Sequence, residues 1–167
     1  MSNRPPRLPD FSYVGQYQYL LTVCVHLREP VFTSHSAARL VIDLFLQFAT
    51  QEKFEVLAYC VMPDHVHFYV VGLEDSSDCR RLLNRWKQKT GRWWKQQSQA
   101  EHLWQRGFHD RIIREDEPVD GVIRYVILNP VRAGLVADAR QYPHIGASGY
   151  DINTLLESSS FWSPNWK

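Results

Sequence analysis

"FEVLAYCVMPDHVHFYVVGL", Phe54 to Leu73, decides the fold. Its two halves, 54–62 and 65–73, are short apolar runs rich in β-branched and aromatic residues, the composition of strands. Only "PD" separates them, and a two-residue connection between strands makes a β-hairpin. Upstream, "AARLVIDLFLQFATQEK" (37–53) has apolar residues at 40, 41, 44, 45 and 48, the spacing of a helix. It follows a loop ending in Ser and Thr, natural helix N-caps. Before that loop, "QYQYLLTVCVHL" (16–27) alternates as a strand does.

Downstream the helical pattern returns from Ser77 to about Ala100, with Leu82, Leu83, Trp86, Trp93 and Trp94 on one face. "FHDRIIR" (108–114) reads as a fourth strand. "EDEPVDGVIRYVIL" (115–128) opens with acids and an early Pro, which start helices, and ends at Asn129-Pro130, because the residue before Pro is disfavoured in the helical region. The order strand, helix, strand, strand, helix, strand predicts an α+β, ferredoxin-like split βαβ sandwich with an antiparallel sheet. An additional C-terminal helix is left to cover the sheet's other face. Three segments are expected: a flexible basic, Pro-rich arm (1–15), a folded domain (16–136) and a loosely structured tail (137–167).

The bulk composition sets limits on function. The chain has 167 residues, 44% hydrophobic and 22% charged, which suits one globular domain with a real core. Net charge is +1, so any nucleic-acid binding must come from a local patch. No apolar run approaches the roughly 18 residues of a membrane span, and no signal peptide opens the chain, so no membrane partner is expected. Cys24, Cys60 and Cys79 show no metal-ligand spacing and read as free thiols of a reducing cytosol.

Residues two apart on a strand share a face, so His65 and His67 project together and Val66 projects away. Two imidazoles so placed can grip a metal ion, or they can be satisfied core histidines. Tyr125 and Asn129 are four apart on the last helix and share a face. Tyr125 offers a phenol and Asn129 a carbonyl oxygen, against plainer roles as a half-buried helix tyrosine and a helix C-cap. Two imidazoles and an amide oxygen would leave positions open for water and a phosphate oxygen, a set suited to Mg²⁺ or Mn²⁺. The stretch Cys79–Ala100 carries seven Lys or Arg and no acid. Helical spacing aligns Arg81, Arg85, Lys89 and Arg92, a stripe that is either a solvated face or a phosphate-binding one. Arg106, Arg111 and Arg114 follow as further phosphate candidates. Trp104 or Phe108 could stack on an unpaired base.

Three motifs, "MPDHVHFYV", "WQRGFHDRIIR" and "YVILNPVRAGLV", occur in order between about Gln16 and Val136. Together they resemble the HUH single-tyrosine transposases of bacterial insertion sequences, and most closely the REP-associated tyrosine transposase branch. The resemblance implies a single-stranded-DNA endonuclease and strand transferase on a ferredoxin-like fold. It implies that His65 and His67 bind one divalent ion, Mg²⁺ or Mn²⁺, with Asn129 as third ligand, and that Tyr125 is the nucleophile. Tyr59 and Tyr69 fall outside the matching position. The family's "RLP" element is present at Arg7–Pro9, with "DFSYVGQ" in place of a Gly-rich lead, and the arm's Arg4 and Arg7 either reach a DNA groove or belong to a disordered basic arm. The implied partner is single-stranded or hairpin DNA in the nucleoid of the bacterial cytoplasm, met by a monomer or by a homodimer, with the monomer favoured. Two other readings compete: a metal phosphoesterase that uses water, and a domesticated hairpin-binding protein that cuts little.

Overall fold

The structure is a computed structural model that describes residues 11–159 and 161–164. Arg4 and the Arg7–Pro9 element lie outside the described residues. Strands β1 (Gln18–Cys24), β2 (Phe54–Met62), β3 (His65–Gly72), β4 (His109–Ile113) and β5 (Ile145–Ala147) form one sheet in the order β4-β1-β3-β2-β5. Every neighbouring pair is antiparallel. Helices α1 (His35–Gln51) and α2 (Cys79–Gln97) follow β1 and β3. This is the expected βαββαβ sandwich with one strand added at the β2 edge.

Strand parity builds two cores. Val66, Phe68 and Val70 of β3, with Tyr19, Leu21 and Val23 of β1, face α1 and α2. Leu20, Cys60, Met62 and Tyr69 face the opposite way, under α3 (Val119–Ile127) and α5 (Ile152–Glu157). In β2 the register slips between Val56 and Ala58, so Leu57 and Ala58 both lie on the α3 side. The bulge lets one strand feed both cores.

Trp86 is the keystone of the first core. It is fully buried, stands edge-on to Phe45 and Phe68, and donates its indole N–H to the Val41 carbonyl at 2.9 Å. Phe45 and Phe68 stack beneath it at 3.5 Å between centroids. Trp86→Ala should therefore cost about 3–5 kcal/mol. At about 2–4 °C per kcal/mol, a calorimetric scan should show the midpoint lowered by roughly 6–20 °C.

Several elements differ from expectation. The first strand stops at Cys24, and His26–Arg28 make a 3₁₀ turn with Leu27 at φ 55° and Arg28 at φ 60°. Left-handed backbone costs a non-glycine residue about 1–2 kcal/mol, so other contacts must hold this turn. The expected flexible arm is packed from Phe11 onward: Tyr13 is buried and Val14 bridges Asp78. The stretch 137–167, expected to be loosely structured, instead supplies a 3₁₀ turn (Ala139–Gln141), β5 and α5. Its Tyr142 hydroxyl donates to the Val61 carbonyl at 2.8 Å. Aromatic and apolar residues spaced too irregularly to show a period still find sites on a finished sheet.

Candidate functional site

His65 and His67 open β3 on the face covered by α3, with ring centroids 4.7 Å apart and planes nearly perpendicular. Each ring is oriented through Nδ1. His65 Nδ1 lies 2.6 Å from Asp64 Oδ1, and His67 Nδ1 lies 2.9 Å from the Thr22 hydroxyl on the facing strand. The other Asp64 oxygen takes the Arg28 guanidinium at 2.8 Å, which also anchors the left-handed turn. With Nδ1 engaged, Nε2 of each ring is the nitrogen left to bind a ligand, the arrangement by which outer partners orient metal-binding histidines. Burial, then the neighbouring His65 and the Arg132 and Arg28 charges, push the His67 pKa down to about 3. Burial also lowers His65, against the opposing pull of Asp64. Both imidazoles are neutral near pH 7, the protonation state a metal ion needs.

Tyr125 sits half-buried on α3, which packs across β2 and β3. Local chemistry explains the Asn129-Pro130 break after it. Pro130 has no N–H to give the Val126 carbonyl, and the Asn129 side-chain amide supplies that donor at 3.0 Å, with a longer bond to the Tyr125 carbonyl. Asn129 thus caps the end of α3 through its side chain, one residue after the C-cap residue Leu128, while its backbone opens the next helical turn. The cap uses only Nδ2, and Oδ1 has no hydrogen-bond partner among the described residues. After the break α4 (Asn129–Arg132) brings Arg132 back over Tyr125. Its guanidinium lies 3.9 Å from the ring centroid and donates to the Tyr125 carbonyl at 2.7 Å. Trp162 of the tail meets the same ring in a T-shaped contact at 5.3 Å.

The donor set fits one divalent ion of modest demands. Among the described residues no three His, Cys, Asp or Glu side chains converge to hold a metal. Asn129 Oδ1 is an oxygen of the kind Mg²⁺ and Mn²⁺ accept. Cys60 lies beside His67 in the register, but burial raises its thiol pKa, so it stays protonated.

The expected cations separate into groups. Arg81 and Arg85 are both bound to Glu52 across the α1–α2 seam, and Arg85 also donates to Gln51 at 2.8 Å. Arg111 shares the α3 face with the histidines, donates to Glu117 at 2.8 Å and lies over the Trp162 ring. Lys89, Arg92, Arg106 and Arg114 are exposed and carry no ion pair among the described residues. Lys89 and Arg92 line a groove of about 650 Å³ between α1 and α2, on the side of the sheet away from the histidines. Trp104 and Phe108, read as base-stacking candidates, are core residues instead, each 8% exposed. Trp104 donates its indole N–H to Thr90 in the interior.

Glu52 is 4% exposed. Burial pulls its carboxyl pKa up, but the bonds from Arg85 and Arg81 outweigh it and hold the carboxyl below its ordinary value. A depressed carboxyl contributes stability above its unfolded pKa and loses it as pH falls through the folded one. Arg81→Ala with Arg85→Ala should destabilise the protein at pH 7 by about 2 kcal/mol, less than for a fully buried pair because both arginines are half exposed. Urea titrations should show the deficit shrinking as pH drops below about 4.5, the ordinary Glu value.

The reading of the sequence passed over Thr22, Arg28, Arg132 and Trp162, which orient or cover these groups. Asp64 had a visible signal, since it directly precedes His65. Arg132 could have been suspected one turn after Asn129. The others depend on register or on the path of the tail.

A ferredoxin-like sheet with a histidine pair on an inner strand, and a tyrosine on a helix laid over the same face, defines a class of tyrosine transposases. The chain belongs to the family described as "Transposase IS200 like", whose model matches residues 13–128. A Haemophilus influenzae protein described as a REP-associated tyrosine transposase is 28% identical over 113 residues, 60% of this chain and 62% of that relative. The chain thus matches less than two thirds of that relative's length. Among solved structures, a REP-associated tyrosine transposase bound to a REP hairpin superposes with a TM-score of 0.70 at 20% identity, over 87% of this chain and 82% of that one. A Deinococcus radiodurans protein described as a transposase gives 0.52 at 19% identity, over 79% and 92%. At such identities these two likenesses establish the fold. No helix among the described residues is long and apolar enough to cross a membrane.

Proposed function

We propose that this chain is a metal-dependent single-strand DNA endonuclease and strand transferase that cuts and rejoins hairpin DNA through a 5′-phosphotyrosine at Tyr125. The observation that carries this reading is that His65 and His67, each with Nδ1 engaged by a partner so that Nε2 is left for a ligand, lie on the sheet face over which α3 carries Tyr125. The names of the Haemophilus relative and of the hairpin-bound structure support the choice of DNA. The chain acts as a monomer on chromosomal DNA in the bacterial cytoplasm.

His65, His67 and Asn129 would hold one Mg²⁺ or Mn²⁺, which when bound would supply Lewis-acid withdrawal of charge from the scissile phosphate. Asp64 and Thr22 keep the imidazoles aimed, so no reorganisation is needed when charge develops. Tyr125 is held on a rigid helix between Arg132 and Trp162, which fixes its approach. Its oxygen gives up the phenol proton and bonds to phosphorus, the bond from phosphorus to the 3′ oxygen breaks, and that oxygen takes up one proton to leave as a 3′-hydroxyl, so the exchange of esters is proton-neutral. The product is still a phosphodiester, so attack by another 3′-hydroxyl reverses the step without ATP. Arg132 stabilises negative charge that builds on the tyrosine oxygen.

The test is incubation with labelled hairpin DNA of repetitive extragenic type, with Mn²⁺, with Mg²⁺ and with chelator. A denaturing gel should show a covalent protein–DNA species only with metal. Cleavage with no covalent species would overturn the tyrosine mechanism in favour of a phosphoesterase using water. Tight hairpin binding with neither product would favour the non-cutting binding protein.

A further inference from the structure

A second pair of imidazoles lies on the other side of the sheet from His65 and His67. His35 opens α1, directly after its N-cap Ser34, and is exposed. His144 directly precedes β5, and its carbonyl accepts the Val61 N–H at 2.9 Å. Val61 packs in the first core and His144 stands opposite it, so the His144 ring turns towards α1. The centroids of the His35 and His144 rings are 5.2 Å apart. We infer that His35 and His144 form a second metal site, one that takes a Zn²⁺ ion and ties the strand of the tail to the start of α1.

His144 is 7% exposed, and its Nδ1 is a buried atom with no hydrogen-bond partner among the described residues. Buried polar groups are almost always paired, so an orphaned ring nitrogen beside a second imidazole points to a ligand that both rings share. The spacing fits an ion. Zinc binds imidazole nitrogen at about 2.0–2.1 Å, which puts it roughly 3.2 Å from the centre of each ring. Two such rings 5.2 Å apart subtend about 110° at the metal, the tetrahedral angle that zinc adopts. Imidazole donors also suit Zn²⁺ better than Mg²⁺ or Mn²⁺, which prefer oxygen. Burial, then the His35 and Arg39 charges, holds the His144 imidazole below its ordinary pKa, in the neutral form that metals bind. Arg39, one turn along α1, is answered by Asp43 at 2.7 Å. The Tyr142 ring stands edge-on to His144 at 5.7 Å, and its hydroxyl is committed to the Val61 carbonyl. Among the described residues no third His, Cys, Asp or Glu joins the pair, so water completes the shell and the site is an open one. Such an ion joins two elements far apart in sequence, and β5, three residues long, is the element with most to gain from a cross-link.

The test is calorimetric titration of chelator-treated full-length protein with Zn²⁺ in the presence of excess Mg²⁺. His35→Ala removes an exposed side chain and should leave the fold intact. His102→Ala, in the exposed imidazole pair His26–His102, is the control. Wild-type protein should bind a Zn²⁺ equivalent that His35→Ala weakens at least about 10-fold and His102→Ala changes by less than about 2-fold, since a lost ligand acts at least as strongly as a lost outer partner. The His65–His67 pair can take Zn²⁺ as well, so each titration is repeated on His67→Ala, where the equivalent that depends on His35 should persist. Zn²⁺ should raise the thermal midpoint of wild-type protein more than that of His35→Ala. In a nitrogen–proton NMR spectrum the His144 ring signals of wild-type protein should shift on adding Zn²⁺, a readout that requires no variant to fold. Zinc binding untouched by His35→Ala, an equal loss in His102→Ala, displacement by Mg²⁺, or His144 signals that Zn²⁺ leaves unmoved would each overturn the site. None of these outcomes bears on the cutting of DNA, which depends on the other pair.

Discussion

Tyr125→Phe should abolish the covalent protein–DNA species and lower the cleavage rate by at least about 10⁴-fold, the scale on which loss of a nucleophile acts. The substitution is a clean one here. The ring keeps its T-shaped contact with Trp162 and its place under the Arg132 guanidinium, and the Arg132 bond runs to the Tyr125 carbonyl, which Phe retains. Stability should change by less than about 1 kcal/mol, and hairpin affinity by less than about 3-fold, because only one oxygen is removed. A variant that still cuts at near wild-type rate would assign the chemistry to water. Tyr59 and Tyr69 are not ready substitutes. The Tyr59 ring lies against Gly146 of β5, where a β-carbon would come within 2.4 Å of it. Tyr69 is fully buried, donates its hydroxyl to Gln18, and its pKa is pushed up to about 12, chiefly by burial.

His67→Ala should be nearly as damaging by a different route. Loss of a ligand should weaken Mn²⁺ binding more than 100-fold, beyond the roughly 10- to 100-fold typical when an outer partner is lost. Asp64→Ala supplies the graded comparison: it leaves both imidazoles but frees the His65 ring to rotate, and about 10- to 100-fold is expected. Manganese paramagnetic resonance or calorimetric titration reads both without DNA. His67 is 8% exposed, so its removal also leaves a small void and an unpartnered Thr22 hydroxyl, worth about 1–2 kcal/mol in urea. The fold should survive that loss, because the sheet is held by two cores that do not depend on this ring. Equal Mn²⁺ affinity in wild type and His67→Ala would remove the histidines from the metal site.

Much of this architecture was legible from local pattern. The two apolar runs around Pro63-Asp64 could be little but a hairpin, and the helix periods on either side left one small topology. Strand parity alone put His65 and His67 on one face. Tyr125 and Asn129, expected on one helix, fall on two: α3 ends at Ile127 and Asn129 opens α4, because Pro130 interrupts the helical ladder. Half of the positive stripe on α2 has partners that local pattern did not reveal. Arg81 and Arg85 looked free because Cys79–Ala100 holds no acid, yet Glu52, 29 and 33 residues earlier, takes both. The tail was misjudged for a related reason: β5 is three residues long and α5 six, too short to show a period.

By itself the amino-acid sequence determined the features that covalent spacing dictates: which residues share a strand face or a helix turn, and where Pro and Gly interrupt them. Tertiary structure alone decided which distant groups neutralise, orient or cover those residues. Thr22 reaches His67 only through the β1–β3 register, Arg28 reaches Asp64 only because the chain turns left-handed after β1, and Trp162 reaches Tyr125 only after the tail has crossed the sheet. Spacing along a chain is fixed by bond geometry. Partners across it are chosen by burial and by the requirement that buried polar groups be paired, which exist only once the core has closed.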